Sequence, residues 1–248
     1  KNDASYHDMY YMNPPAKDLS KIASSDKVKK VQKDFEATHV RPQRLMKTLF
    51  TDEAYVKANV DEARLMRRLF DLACNMQSHD TDMQLYSLFT DEECYDLWSC
   101  NNLYWYLTHA CSPVTDGLMP YREADLLRNI LDRADAALKE GKNQATLRFG
   151  HESCLLPLVA LLELNHYGKS YPDVEKLSEQ WRAYDIFPMA SNVQFVFFHK
   201  KGSNDVLVKV LLNEKEAKLP VKTDVAPYYH WKDVESYYRE KLDKYQHI

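Results

Sequence analysis

The chain has 248 residues, enough for one large domain or two small ones. A formal charge of −4 gives no basic excess and argues against a nucleic-acid surface, while five glycines with 28% charged and 12% aromatic residues describe a helix-rich globular protein. No apolar run reaches the roughly 18 residues of a membrane span, because Leu155–Leu162 stops at Glu163, so no membrane partner is expected.

The first residue is Lys rather than Met and no signal-peptide pattern follows, so the chain reads as a processed or truncated piece. Lys1 to Lys21 carries aromatics and Asn13-Pro14-Pro15 without a period, and is expected to be an extended lead-in. Ser24-Ser25-Asp26 caps a helix through about Thr38, with Val28, Val31 and Phe35 on one face. Arg41-Pro42 opens a short helix to Phe50, the proline at or near its first position. Thr51-Asp52-Glu53 starts a third segment. From Asp61 to about Gln77, Leu65, Met66, Leu69, Leu72, Ala73 and Met76 keep helical spacing. Ser78-His79-Asp80-Thr81 then reads as a solvated helix end, with a His–carboxylate site as the alternative. Thr90-Asp91-Glu92-Glu93 has the form of a capping box and opens a helix to about Thr108. The pentapeptide LFTDE occurs at 49–53 and at 88–92; since nothing around it repeats, it marks two similar helix starts. Tyr104-Trp105-Tyr106, near Asn101-Asn102, is an aromatic cluster read as packing, with a substrate-facing Asn102 as the alternative.

Ser112 to Gly117 is the clearest break and divides the chain into a helical module, 1–115, and part of an α/β layer, 116–248. Tyr121 to Glu140 is predicted as an amphipathic helix with Leu126, Leu127, Ile130, Leu131, Ala134 and Leu138 inward, ended by Gly141. The stretch Ala145 to Leu162, ATLRFGHESCLLPLVALL, is the centre of this half. Thr146 to Phe149 reads as a short buried strand, and the apolar run after Ser153 as a buried helix. Between them stand Gly150, His151, Glu152 and Ser153. Ligands of open α/β sheets bind beyond the carboxyl ends of strands, and a helix start offers free N–H groups to an anion. His151 and Glu152 are therefore placed to meet a phosphate. The competing reading makes His151 a satisfied buried histidine and Glu152 or Ser153 a helix cap. Val193 to His199 and Val206 to Leu212 form a hairpin over residues 200–205, Pro220 and Pro227 mark a connection, and Trp231 to Tyr245 closes the chain as a helix. A sheet of about three strands is small, and parallel strands need neighbours, so partner strands are expected from outside this chain.

Other chemistry is absent from the sequence. There is no GxSxG elbow, Gly-rich phosphate loop or HExxH, so serine hydrolase, nucleotide-binding and zincin readings lack their central residues. No cofactor and no metal is expected. Cysteines 74, 94, 100, 111 and 154 are odd in number with no CxxC, which argues against a zinc ribbon and leaves one bridge open.

LRFGHESCLLPLVALL resembles the C-terminal signature of the histidine-type phosphatases, the branch of histidine acid phosphatases, phytases and multiple inositol polyphosphate phosphatases. There a strand runs into His-Asp, or His-Ala-Glu, before an apolar helix; here the pair is His151-Glu152. FPMASNVQFVFF (187–198), VLVKVLLNEKEAKLP (206–220) and PYYHWKDVESYY (227–238) resemble bacterial members. The resemblance implies a helix-rich cap, 1–115, and the C-terminal part of an α/β phosphatase domain, 116–248, in a periplasmic or secreted protein. It also implies two-step hydrolysis of a phosphomonoester: a histidine attacks phosphorus, arginines hold the phosphoryl oxygens, and a carboxylic acid protonates the leaving oxygen. Carried over, His151 binds the phosphoryl group, Glu152 is the proton donor and Arg148 a phosphate contact. Glu directly after the His departs from both common forms.

The attacking histidine of such enzymes lies in an Arg-His-Gly-x-Arg motif, and no Arg-His-Gly occurs in this sequence. The expected partner is therefore an N-terminal half of the same protein, without which the chain is inactive. Three readings stand: a phosphatase portion with inositol phosphates among its substrates, a non-catalytic phosphate-binding protein, and a helical interaction module.

Overall fold

The computed structural model describes residues 17–142 and 144–245. It divides into two compact units, Lys29–Tyr104 and Lys1–Val28 with Trp105–Ile248. The Ser112–Gly117 turn, expected to divide the chain at 115/116, lies inside the larger unit. Of the expected lead-in, residues 1–16 lie outside the described residues, and the rest belongs to a helix, α1 (Lys17–Ala23), anchored by buried Leu19.

The smaller unit holds most of α2 (Asp26–His39), then α3 (Gln43–Leu49), α4 (Glu53–Asn59), α5 (Glu62–Asn75) and α6 (Asp91–His109) as far as Tyr104. Its core is Leu45, Met46, Val56, Met66, Ala73, Phe89 and Leu97. Leu72 is 52% exposed, against the even apolar spacing read from α5. It stands one residue, about 100°, before buried Ala73 and falls outside the stripe that Met66 and Ala73 define. The LFTDE echo resolves into two helix starts with different caps. At α6, Thr90 and Glu93 bond reciprocally: the Glu93 N–H donates to Thr90 Oγ1 at 3.2 Å and the Thr90 N–H to Glu93 Oε2 at 2.9 Å. At α4 the residue three past Thr51 is Ala54, no box can close, and Asp52 caps instead by accepting from the Tyr55 N–H at 2.9 Å. Arg44 also grips Glu93, through Nε at 2.7 Å, tying α3 to the box.

In the larger unit a 3-10 turn, Met119–Glu123, runs into α7 (Ala124–Glu140), which buries Leu126, Leu127 and Leu131 and ends at Gly141 with φ +63°. After α8 (Glu152–Leu161) come two single-turn helices, α9 (Leu177–Gln180) and α10 (Ala183–Ile186). The hairpin is present with the predicted bounds: β1 (Val193–His199) and β2 (Val206–Leu212) pair antiparallel from Val193↔Leu212 to His199↔Val206. The short β3 (Lys215–Glu216) and β4 (Tyr229–His230) add to β2, and α11 (Trp231–Tyr245) follows. α11 docks through Val234, Tyr238 and Leu242, all fully buried; the Tyr238 hydroxyl donates to the Leu162 carbonyl at 2.7 Å.

This sheet corrects the expected one. Every pairing among the described residues is antiparallel, and Thr146 to Phe149 takes no part in it. That segment is neither a strand nor buried: Leu147 is 76% and Phe149 86% exposed. Its composition encodes extended backbone, but a strand exists only against a neighbour, and none of the described residues supplies one.

His230 on β4 joins three segments. Its Nδ1 lies 3.0 Å from Asp205 beside the hairpin loop, and its Nε2 2.9 Å from Asp224 of the connection. Hydrogen bonds to Asp205 and Asp224 raise its pKa to about 8, above the usual 6.5. A raised histidine stabilises fully below its unfolded pKa and loses that contribution as pH rises through the folded one. The melting temperature of wild type minus that of His230→Gln is therefore expected to be positive and constant below pH 6.5 and to shrink through pH 8. A pH-independent difference would contradict the clip.

Candidate active site

α8 is apolar on every face, and its residues from Leu156 to Leu161 are buried. Burial on all sides explains why Pro157, which cannot donate to the carbonyl one turn back, does not break it. The helix thus presents its first turn to solvent from a fixed base. His151 is the N-cap residue, extended at φ −112° and ψ 163°, and its side chain makes no capping bond. Its carbonyl accepts the Cys154 and Leu155 N–H groups at 3.0 and 3.1 Å. Glu152 is the first helical residue; His151 and Glu152 are both exposed and Ser153 half-buried. The buried-histidine and Glu152 or Ser153 cap readings do not describe this arrangement. His151 and Glu152 are thus exposed neighbours at one accessible corner, the start of α8, where the helix end carries partial positive charge.

Arg148 lies on the exposed approach to this corner. Its Nη2 donates to Asn129 Oδ1 on α7 at 2.7 Å, so the guanidinium is held toward α7. The rival Ser78-His79-Asp80 is an exposed helix end, as read. Asn102 is 1% exposed, enclosed rather than offered to a ligand. In the aromatic cluster Tyr106 is fully buried, its hydroxyl 2.7 Å from the Tyr171 N–H, whereas Tyr104 is 46% exposed. All five cysteines are free thiols, so the bridge left open is not formed. Among the described residues no group of three His, Cys, Asp or Glu side chains is arranged to hold a metal, and no helix is long and apolar enough to cross a membrane.

Behind the corner is a group that the sequence did not disclose. Glu123, last residue of the 3-10 turn before α7, is 1% exposed. Burial pushes its carboxyl up to about 8 against the opposing pull of Arg122, and a hydrogen bond links it to the Cys154 thiol in the first turn of α8. Burial likewise raises the Cys154 thiol to about 12. Nearby, burial and Arg122 together push His109 down to about 4, so it is a neutral imidazole, while Arg122 donates to the Thr108 carbonyl at 3.2 Å. In the sequence, Arg122-Glu123 looks like the charged opening of an amphipathic helix, and nothing local signals its burial.

Residues 1–213 match the Histidine phosphatase superfamily (branch 2). The chain belongs to this superfamily. A human protein of that kind, multiple inositol polyphosphate phosphatase 1, is 28% identical over 137 residues, which are 49% of this chain and 27% of that protein. The histidine-phosphatase fold is shared with solved structures of the Bifidobacterium longum multiple inositol polyphosphate phosphatase. Its complex with phosphate superposes with a TM-score of 0.62 at 19% identity, over 90% of this chain and 55% of that one. Its complex with inositol hexasulfate gives 0.60 at 18%, over 89% and 54%. This histidine phosphatase chain thus spans about half the length of those bacterial relatives, and its match covers about a quarter of the human one.

Proposed function

We propose that this chain is the proton-donor portion of a histidine phosphatase that hydrolyses phosphomonoesters, inositol phosphates among them, in the periplasm or outside the cell. The observation that carries the reading is the exposed His151–Glu152 pair at the positive end of α8. His151 and the N–H groups of Glu152 and Ser153 receive phosphoryl oxygens. Glu152, one residue on, gives its proton to the leaving alkoxide oxygen while a histidine outside these 248 residues takes the phosphoryl group. The carboxylate left behind is then placed to accept a proton from the water that frees phosphate. Substrate class follows the human and B. longum relatives, both named for inositol polyphosphates. Arg148 joins the phosphate contacts only if it exchanges Asn129 for substrate.

The attacking histidine is proposed to come from an N-terminal half, because Arg-His-Gly is absent here and relatives are about twice as long. The 248-residue chain alone is expected to turn over p-nitrophenyl phosphate no faster than background, and co-expression with a segment bearing Arg-His-Gly-x-Arg should restore hydrolysis and a pre-steady-state burst. Burst kinetics from the chain by itself would overturn these roles. Failure of every such segment to restore turnover, with phosphate still bound at His151, would favour the non-catalytic phosphate-binding reading.

A further inference from the structure

The start of α8 rests on a buried acid whose hydrogen-bonding capacity is not filled. Glu123 Oε1 has no hydrogen-bond partner among the described residues, and the carboxyl takes the hydrogen bond of the Cys154 thiol. Cys154 is the third residue of α8, and its N–H reaches the His151 carbonyl at 3.0 Å. Glu123 is therefore one side chain removed from the turn that carries His151 and Glu152.

We propose that Glu123 is a specificity-determining residue for the anion held at the start of α8. Protonated, it leaves the positive helix end to a dianion; ionised, it sets a buried negative charge beneath the site and weakens that dianion's binding. This rests on the reading of His151–Glu152 as the phosphate site.

The neighbouring groups do not cancel such a charge. On its own turn, Arg122 favours the ionised form, burial outweighs it, and the carboxyl titrates near pH 8. On α8 the facing group is the Cys154 thiol, which stays neutral and donating up to about pH 12. His109 of α6, beside Arg122, is neutral above about pH 4. α1 packs against the same turn, but its Asp18 and Lys21 pair with each other at 3.0 Å on an exposed face. On α7, Asp125 bears on Tyr245, and Arg128 on the Leu242 carbonyl and Asp243. Among the described residues buried around the helix start, Glu123 is thus the one that changes charge between pH 6 and pH 9. Even at the dielectric constant of bulk water, a charge on the order of 5 Å from a bound dianion is worth roughly tenfold in affinity.

Inorganic sulfate tests this, because it remains a dianion over the whole range. The 248-residue chain is titrated with sulfate from about pH 6 to about pH 9 while the His151 ring resonances are followed by NMR, in wild type and in Glu123→Gln. The comparison removes any titration common to both proteins. Wild-type affinity is expected to fall by about tenfold more than that of the variant, the divergence centred near pH 8. Reciprocity supplies a second readout that needs no variant: sulfate should raise the pH at which the Glu123 carboxyl carbon titrates. Equal pH profiles in the two proteins, or a Glu123 titration indifferent to sulfate, would overturn the role of Glu123 and leave the phosphate site standing. Sulfate that perturbs His151 at no pH would overturn both.

Discussion

Glu152→Gln in a full-length parent is expected to slow phosphoryl transfer from an alkyl phosphate by roughly 10²–10⁴-fold, the usual worth of a positioned general acid. Gln keeps the length and the hydrogen-bonding carbonyl of Glu but has no proton to release, so geometry at the first residue of α8 is preserved while the chemistry is removed. A departing alkoxide needs that proton; a p-nitrophenolate does not. The loss should accordingly shrink toward unity for p-nitrophenyl phosphate, measured as single-turnover phosphorylation so that product release does not mask it. Equal losses on both esters would make Glu152 structural, supporting the helix start instead of the leaving group. KM for the aryl ester should change little, because His151 and the backbone N–H groups, rather than Glu152, hold the phosphoryl oxygens.

The parts of the fold that were legible in the sequence are those set by neighbours in the chain. The Thr90–Glu93 box, the Gly141 stop, the 200–205 hairpin loop and the bounds of α11 each follow from a cap, a turn or a period spanning a few residues. The helix start at the candidate site was legible for the same reason: the polar His151-Glu152-Ser153 stands directly before an apolar run. What escaped depends on contacts far along the chain. Glu123 and Cys154 are 31 positions apart, so the burial of the acid is invisible until α8 folds over the turn that precedes α7. The bond from Arg148 to Asn129 on α7 spans 19 positions and is likewise not written in the local sequence. The two-residue strands β3 and β4 are too short to have a period. Glu163, Asn165 and His166, all at positive φ with no glycine among them, form a tight turn after α8 that no residue type announces; Lys241 and the Tyr237 hydroxyl hold it from α11 through Glu163.

Phe149→Ala separates a chain that is structurally self-sufficient from one that lacks neighbours. In the 248-residue chain Phe149 is 86% and Leu147 76% exposed, so truncating either removes little buried surface and should change stability by no more than about 0.5 kcal/mol. Two large apolar residues, Leu147 and Phe149, alternating with an Arg148 turned to α7, have the pattern of a strand buried on one face. If an N-terminal half contributes the adjoining strands, the same two side chains become core. Phe149→Ala should then cost about 3–5 kcal/mol in the full-length parent and Leu147→Ala about 2–5 kcal/mol. Urea unfolding of both proteins, wild type and variants, measures the contrast directly. Until they are covered, these two exposed apolar side chains also invite association with other chains, and replacing both residues with Lys should lower the weight-average mass of the 248-residue chain in sedimentation. Small, equal costs in the long and short proteins would show that 144–150 is a surface segment in both, and the proposal of missing sheet neighbours would fail.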